Sequence, residues 1–194
     1  MNKKIIFPAF ILMVLVQLYV PASMIFDKET VLTEGKEFRF KTAPIDPTDP
    51  FRGKYIILSF EENTIQVFGA EDWNHGDQVF VSIAEDEQGF AKIISASKEK
   101  PSPEEDFVSA SISYIFTDSL NTQVTLEYPF NRFYMEESKA ESAEKAYWES
   151  AVDSTDVTYA LVSILNGEAV IRNVMINDVP ISEVAKARLE KEEQ

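Results

Sequence analysis

Between Lys4 and Asp27 lie 22 residues, Ile5 to Phe26, with no charge, and only Gln17 and Ser23 among them are markedly polar. A run of roughly 20 apolar residues matches the hydrocarbon core of a bilayer, which a helix crosses with its backbone hydrogen bonds satisfied internally. Pro8 falls in the first turn, where a missing N–H costs little, and Pro21 is placed to kink or end the helix. Lys3 and Lys4 precede the span, and Asp27, Lys28 and Glu29 follow it. The positive-inside bias then leaves the N-terminus cytoplasmic and the rest of the chain outside. A cleaved signal peptide is the competing reading, with Ile5–Val20 as its apolar region and Val20-Pro21-Ala22 as a small-residue site. Proline beside the scissile bond and the continuing Met24-Ile25-Phe26 favour retention. Both readings export the remainder. The expected organisation is a transmembrane anchor over 1–26, an extracytoplasmic β-rich domain over 27–180 and a charged tail over 181–194. The expected location is the cell membrane, single-pass, with the domain periplasmic if the cell is Gram-negative.

The exported part has the makings of a core. The chain is 45% hydrophobic with 14 Phe and 7 Tyr, which argues against disorder. Its formal charge of −15 repels phosphate backbones, so no nucleic acid is expected as a partner; the acidity reads as a solubility feature. Without cysteine there is no disulfide, thiol nucleophile or lipid-modified N-terminal cysteine.

Patterning along the domain is dominated by period two. Glu37–Thr42 alternates Phe38 and Phe40 with charged residues and predicts a half-buried strand. Tyr55–Phe60 is apolar on nearly both faces and predicts a central, covered strand. Between them, Pro44, Pro47 and Pro50 predict an extended loop outside any sheet. Gln78–Ala84 and Phe90–Ser97 predict a hairpin with its tip at Glu85–Gly89. Phe107–Phe116, with Ser109, Ser111 and Ser113 on one face, and Val124, Leu126 and Tyr128 predict edge or half-exposed strands. Glu136–Ala151 changes to helical spacing, with Tyr147 and Trp148 as packing anchors and Glu141 and Lys145 as an i,i+4 pair. Asn166-Gly167 between Asp156–Leu165 and Glu168–Ile176 is a type I′ hairpin signal. Beyond Pro180 the spacing of Val184, Ala185 and Leu189 predicts a short, frayed helix. The fold class is α+β: a mainly antiparallel sheet or partial barrel with one substantial helix, preceded by an N-terminal transmembrane helix.

Chemistry-bearing motifs are few. There is no G-x-G-x-x-G, P-loop or zinc spacing, so no cofactor and no metal is expected. The acidic run Glu85-Asp86-Glu87 lacks the spaced ligands of a calcium loop. His75, between Asn74 and Gly76, reads as a turn residue rather than a triad member. Ser23 with Lys54 is the one pairing that fits a signal-peptidase-like hydrolase, and it lacks a surrounding motif. Paired acids such as Asp46 and Asp49, Glu61 and Glu62, and Glu136 and Glu137 arise readily among 33 carboxylates. No catalytic residue is assigned. The alternatives left open are an envelope hydrolase and a small-ligand-binding β-barrel.

One stretch is distinctive. Pro44-Ile45-Asp46-Pro47-Thr48-Asp49-Pro50-Phe51-Arg52-Gly53-Lys54-Tyr55-Ile56-Ile57-Leu58-Ser59-Phe60 resembles the signature of the bacterial GDYXXLXY family. Gly53, Tyr55 and Leu58 stand at the named positions, Lys54 replaces the motif's Asp and Phe60 its last Tyr. Asp46, Pro47, Asp49, Pro50 and Arg52 match the elements before it. The likeness extends through Asn131-Arg132-Phe133-Tyr134-Met135-Glu136-Glu137 and Asn166-Gly167-Glu168-Ala169. What the resemblance implies is a small protein anchored by an N-terminal helix, often encoded near a multi-pass membrane protein that is a possible partner, and without an assigned enzymatic activity. Lys54 excludes a catalytic or metal role for the motif's acid in this chain. Physically the motif residues read as structural, with Tyr55 and Phe60 capping a buried strand and Arg52 either paired with Asp46 or Asp49 or solvated. A non-catalytic module for an integral-membrane or envelope partner is the preferred expectation.

Overall fold

The computed structural model describes residues 3–43, 55–67, 73–102, 104–118, 121–152 and 155–192. The uncharged span lies in helix α1 (Lys3–Glu34), which runs through both Pro8 and Pro21 and continues past Phe26. Its Phe7–Glu34 portion is long and apolar enough to cross a membrane, with a mean hydropathy of 2.2 in its most apolar window and none of that window buried. In chain order follow β1 (Lys36–Ala43), β2 (Tyr55–Ile57), β3 (Ser59–Phe60), β4 (Thr64–Val67), β5 (Gln78–Glu85) and β6 (Ala91–Ser97). Next come β7 (Phe107–Thr117), β8 (Thr122–Glu127), β9 (Arg132–Tyr134), α2 (Glu137–Val152), β10 (Thr158–Leu165), β11 (Glu168–Ile176), β12 (Val179–Pro180) and α3 (Ile181–Glu192).

One sheet has the order β12-β11-β10-β1-β3, a second β4-β8-β7-β5-β6, and β2-β9 forms a separate ribbon. Every strand pairing is antiparallel, and a parallel bridge from Val108 to Gly167 joins the two large sheets at one corner. The result is a nearly closed, barrel-like sheet around one core. The alternation in β1 and β5 is realised directly: Phe38 and Phe40, and Val79, Val81 and Ile83, are buried while their neighbours are not. Asn166 and Gly167 both have positive φ, 53° and 93°, as a type I′ turn between β10 and β11 requires.

At the centre are four rings. Phe40, Phe60, Tyr128 and Phe130 all contact one another, with centroid separations from 5.0 to 5.8 Å. Phe40 and Phe60 belong to β1 and β3, whereas Tyr128 and Phe130 lie on the connection leaving β8, so the cluster ties the two large sheets together. The Tyr128 hydroxyl donates to the Glu62 carbonyl at 2.6 Å, which satisfies its polar end inside the cluster.

Several expectations are corrected. Tyr55–Phe60 is not a central strand: it breaks into β2 and β3, with Ile56, Leu58 and Phe60 buried and Ile57 43% exposed. The doubly covered position belongs to β10, whose Thr158, Tyr159, Ala160, Val162, Ser163 and Ile164 are all buried. β7 is the middle strand of its sheet, not an edge. Its register against β8 shifts between Ile112 and Tyr114, leaving Ser113 as the extra residue. That bulge inverts the pleat, so Ile112 points inward and Tyr114 and Phe116 outward. Trp148 is not a buried anchor, being 49% exposed, while Ala143, Ala146 and Tyr147 of α2 are buried. The C-terminal segment is a docked helix rather than a frayed one: Ile181 and Ala185 are fully buried, and Arg188 meets Glu149 of α2 at 2.7 Å. The pair Glu141–Lys145 forms, at 2.8 Å.

Buried hydroxyls join α2 to the sheet. Thr42 donates to the Thr158 carbonyl at 3.1 Å, and Ser150 and Thr158 share a 2.9 Å hydrogen bond. Burial pushes the neighbouring Tyr147 hydroxyl up to about 12. The Thr42, Ser150 and Thr158 hydroxyls are bonded into the packing.

Two predictions follow from the packing. Truncation by Phe40→Ala removes the ring common to three cluster contacts, for an expected loss of about 3–5 kcal/mol, measured by denaturant unfolding of the full chain in detergent with Trp73 fluorescence. At the β5–β6 tip, Asp86 accepts from the backbone N–H groups of Gln88 and Phe90 at 2.8 and 2.9 Å. The Phe90 bond, foremost, holds its carboxyl below the ordinary 3.8. Its contribution is therefore complete above 3.8 and lost as pH falls through the lowered folded value. The amide shifts of Gln88 and Phe90 are expected to titrate with a midpoint under 3.8; a midpoint at or above it contradicts this account.

Candidate functional site

α1 does not end in a loose linker. Its last turn carries no basic residue, and its terminal carbonyls lack intrahelical partners. Arg172 of β11 supplies what is missing: its guanidinium donates to the Leu32 carbonyl and to the Ser163 hydroxyl, and stands 3.4 Å from Glu37. The cation thereby meets the negative end of the helix dipole. A register shift makes this contact. Leu161 pairs with Asn173 and Val162 with Ile171, so Arg172 is the extra residue of a bulge, the device that re-aims a side chain.

Three further contacts fix the joint. Val31 is buried, worth about 1.5–3 kcal/mol for a side chain of that kind. The Gly35 N–H donates to the Val31 carbonyl at 3.0 Å. A Cβ at Gly35 would lie 2.3 Å from that carbonyl oxygen and within 3.2 Å of the Ile164 backbone, so only glycine allows the chain to turn this close to β10. Lys28 meets Glu168 at 2.5 Å, with both side chains more than half exposed. Such a pair contributes only about 0–1 kcal/mol, so Arg172 and Val31 carry most of the joint.

Beside it runs a groove of about 740 Å³. One wall is the continuous stretch Gly167–Arg172 of the hairpin and β11, the other Pro129, Phe130 and Arg132–Tyr134, with Lys28 and Ser109 completing the lining. A second hollow of about 560 Å³ shares Ser109, Pro129, Arg132 and Tyr134 and extends toward Gln78 and Glu127. Tyr55 lies opposite Tyr134 on the β2–β9 ribbon with ring centroids 5.4 Å apart, and the Arg132 guanidinium rests 5.2 Å above the Tyr55 ring.

The motif residues divide accordingly. Leu58 and Phe60 are core: Leu58 is buried and donates its N–H to the Asn131 carbonyl at 2.9 Å, and Phe60 joins the four rings. Tyr55 does not cap a buried strand; it faces outward and supports Arg132. Asp46, Pro47, Asp49, Pro50, Arg52, Gly53 and Lys54, the Arg52 pairing and the proline loop lie outside the described residues. The segments Arg132–Tyr134 and Gly167–Ala169, far apart in sequence, meet across the groove. Lys28 and Arg172 had no recognisable sequence signal: Lys28 is one cation between Asp27 and Glu29, and Arg172 a lone cation in a strand pattern otherwise uncharged after Glu168.

Of the residues weighed for catalysis, Ser23, Glu62 and Glu136 each hold a local partner, and His75 stands apart from them. The Ser23 hydroxyl donates to the Val20 carbonyl of its own helix at 2.9 Å, and His75 is exposed in a turn. Glu62 accepts from the Ile93 N–H at 3.1 Å, and Glu136 pairs with Lys139 at 2.8 Å. Among the described residues no three His, Cys, Asp or Glu side chains form a group able to hold a metal ion.

Fold and groove together define a helix-borne, barrel-like antiparallel β-domain with an open slot beside the helix joint. The chain belongs to the family described as GDYXXLXY protein, which it matches over residues 17–174, from within α1 to within β11. No curated protein and no solved structure matches it.

Because the chain has no cysteine, a spin label at Glu29→Cys reports the joint directly. Arg172→Met is expected to raise that label's mobility clearly and Lys28→Met only slightly. Equal effects would show that the exposed pair matters as much as the helix-end contact.

Proposed function

We propose that this chain is a non-catalytic, membrane-tethered module, with α1 in the bilayer, the β-domain on the non-cytoplasmic side, and the groove turned to an integral-membrane or envelope partner. The observation that carries the reading is the contrast along α1. Its apolar portion touches nothing in the domain, with Phe7, Leu12, Leu18 and Phe26 all more than 60% exposed, whereas Val31, eight residues past Ser23, is buried in the joint. A soluble fold does not leave such a surface in water, and lipid is the solvent that suits it.

Orientation follows from Lys3 and Lys4 before the span and the excess acid beyond it. Four packed rings occupy the interior between the sheets, so binding is assigned to the outer groove rather than to an enclosed cavity. A rigid joint also suits a partner in the same membrane, because it presents the groove at a fixed height and angle.

A single cysteine in place of the exposed Glu87 tests this. It is expected to react with a membrane-impermeant maleimide on intact cells, or on spheroplasts where an outer membrane intervenes, while the protein stays with carbonate-washed membranes. Labelling only after lysis, or release of the protein by carbonate, contradicts the reading.

A further inference from the structure

The shape of the groove narrows the kind of partner. A hollow over the face of a strand is lined by every second residue, because side chains alternate between faces. Here the lining from Gly167 to Arg172 is unbroken. The groove therefore runs along the edge of β11, where backbone N–H and C=O groups are presented. On that side β12 pairs only with Met175 and Ile176. Among the described residues, no strand beyond β10 is hydrogen-bonded to Glu168–Asn173, and β9 packs beside β11 without pairing to it. These six residues at about 3.3 Å each span about 20 Å, the length of an ordinary strand, and the alternate ones, whose N–H and C=O point away from β10, form the template. Such an edge is either protected or used, and the wall opposite holds Phe133 and Tyr134 at side-chain reach.

Charge selects the occupant. Lys28 is held by Glu168, and Arg172 by the Leu32 carbonyl and Glu37. Arg132 is exposed, lines both hollows, and among the described residues has no carboxylate at ion-pair distance although the chain carries 33 acids. Its guanidinium rests on the Tyr55 ring, which steadies it without neutralising it.

We infer that the groove accepts an extended peptide segment bearing a carboxylate, which adds as a strand to the open edge of β11 and pairs its acid with Arg132. This is β-augmentation: backbone bonds supply affinity, and the alternating side chains, one acid among them, supply selectivity. The inference rests on the proposed partner-binding role and assigns it a surface and a ligand class.

The test uses the full chain in phosphatidylcholine nanodiscs. The probes are the capped hexapeptide Val-Glu-Val-Glu-Val-Glu and its lysine counterpart, with amide hydrogen exchange as the readout. The acidic peptide is expected to slow exchange at least tenfold at those amides of Glu168–Asn173 that point away from β10, and the lysine peptide not to do so. Arg132→Gln is expected to weaken acidic-peptide binding about tenfold, or about 1.4 kcal/mol, with no change in Tm. Three results overturn the inference: no slowing at this edge, equal slowing by both peptides, or an edge in the free protein as protected as β10, which means that it is already covered. A fourth is an Arg132 dependence seen only in phosphatidylglycerol discs, which makes the site a headgroup contact instead. Carbonate extraction and Glu87→Cys labelling are read separately, so failure at the groove leaves the tether standing and loss of the tether is seen on its own.

Discussion

The fold depends on four aromatic rings meeting where the two large sheets come together. Phe40 and Phe60 arrive from one sheet, Tyr128 and Phe130 from the connection that leaves the other, and each ring touches all three partners. Pairs of this kind contribute about 0.5–1.5 kcal/mol beyond simple burial, and here they close a fold that hydrogen bonds alone leave as separate sheets. The corner bridge from Val108 to Gly167 is too small to do so unaided. Placing Tyr128 and Phe130 inside the cluster also fixes where β9 begins, and so the wall of the groove that Arg132 and Tyr134 form. The core and the candidate site are consequences of one packing event.

Much of this was legible in the sequence because the signals are short-range. Phe38 and Phe40 alternate with charges, Val79, Val81 and Ile83 with polar or half-buried neighbours, and Asn166-Gly167 can adopt the backbone angles of its turn where few other pairs can. The uncharged span needed only counting. Errors arose where tertiary contacts override local pattern. Tyr55 and Ile57 look like core residues, yet one supports Arg132 and the other is largely exposed, because β2 pairs with β9 outside the large sheets. The parity change at Ser113 cannot be inferred from alternation, since a bulge breaks the very rule used to read it. Val184, Ala185 and Leu189 gave the helix α3, but its docking rests on Ile181 and Arg188 finding the sheet and α2.

The groove was half visible. Family likeness singled out Arg132–Tyr134 and Gly167–Ala169 as separate stretches, and only the fold shows them facing each other. Arg172 was beyond the reach of sequence pattern. Its role follows from being the odd residue in the pairing of β10 with β11, and a register shift has no signature in composition or spacing. The same shift links the helix joint and the groove, since the residue that clasps the helix end also lines the groove.

Helix α1 enters the domain with only Gly35 between it and β1, so there is no hinge to absorb a change of length. An α-helix turns by about 100° and advances 1.5 Å with each residue. One amino acid gained or lost between Phe26 and Val31 therefore swings the whole head around the helix axis by more than a quarter turn, aiming its slot in a different compass direction. Bearing, as much as chemistry, is written into the length of that short segment.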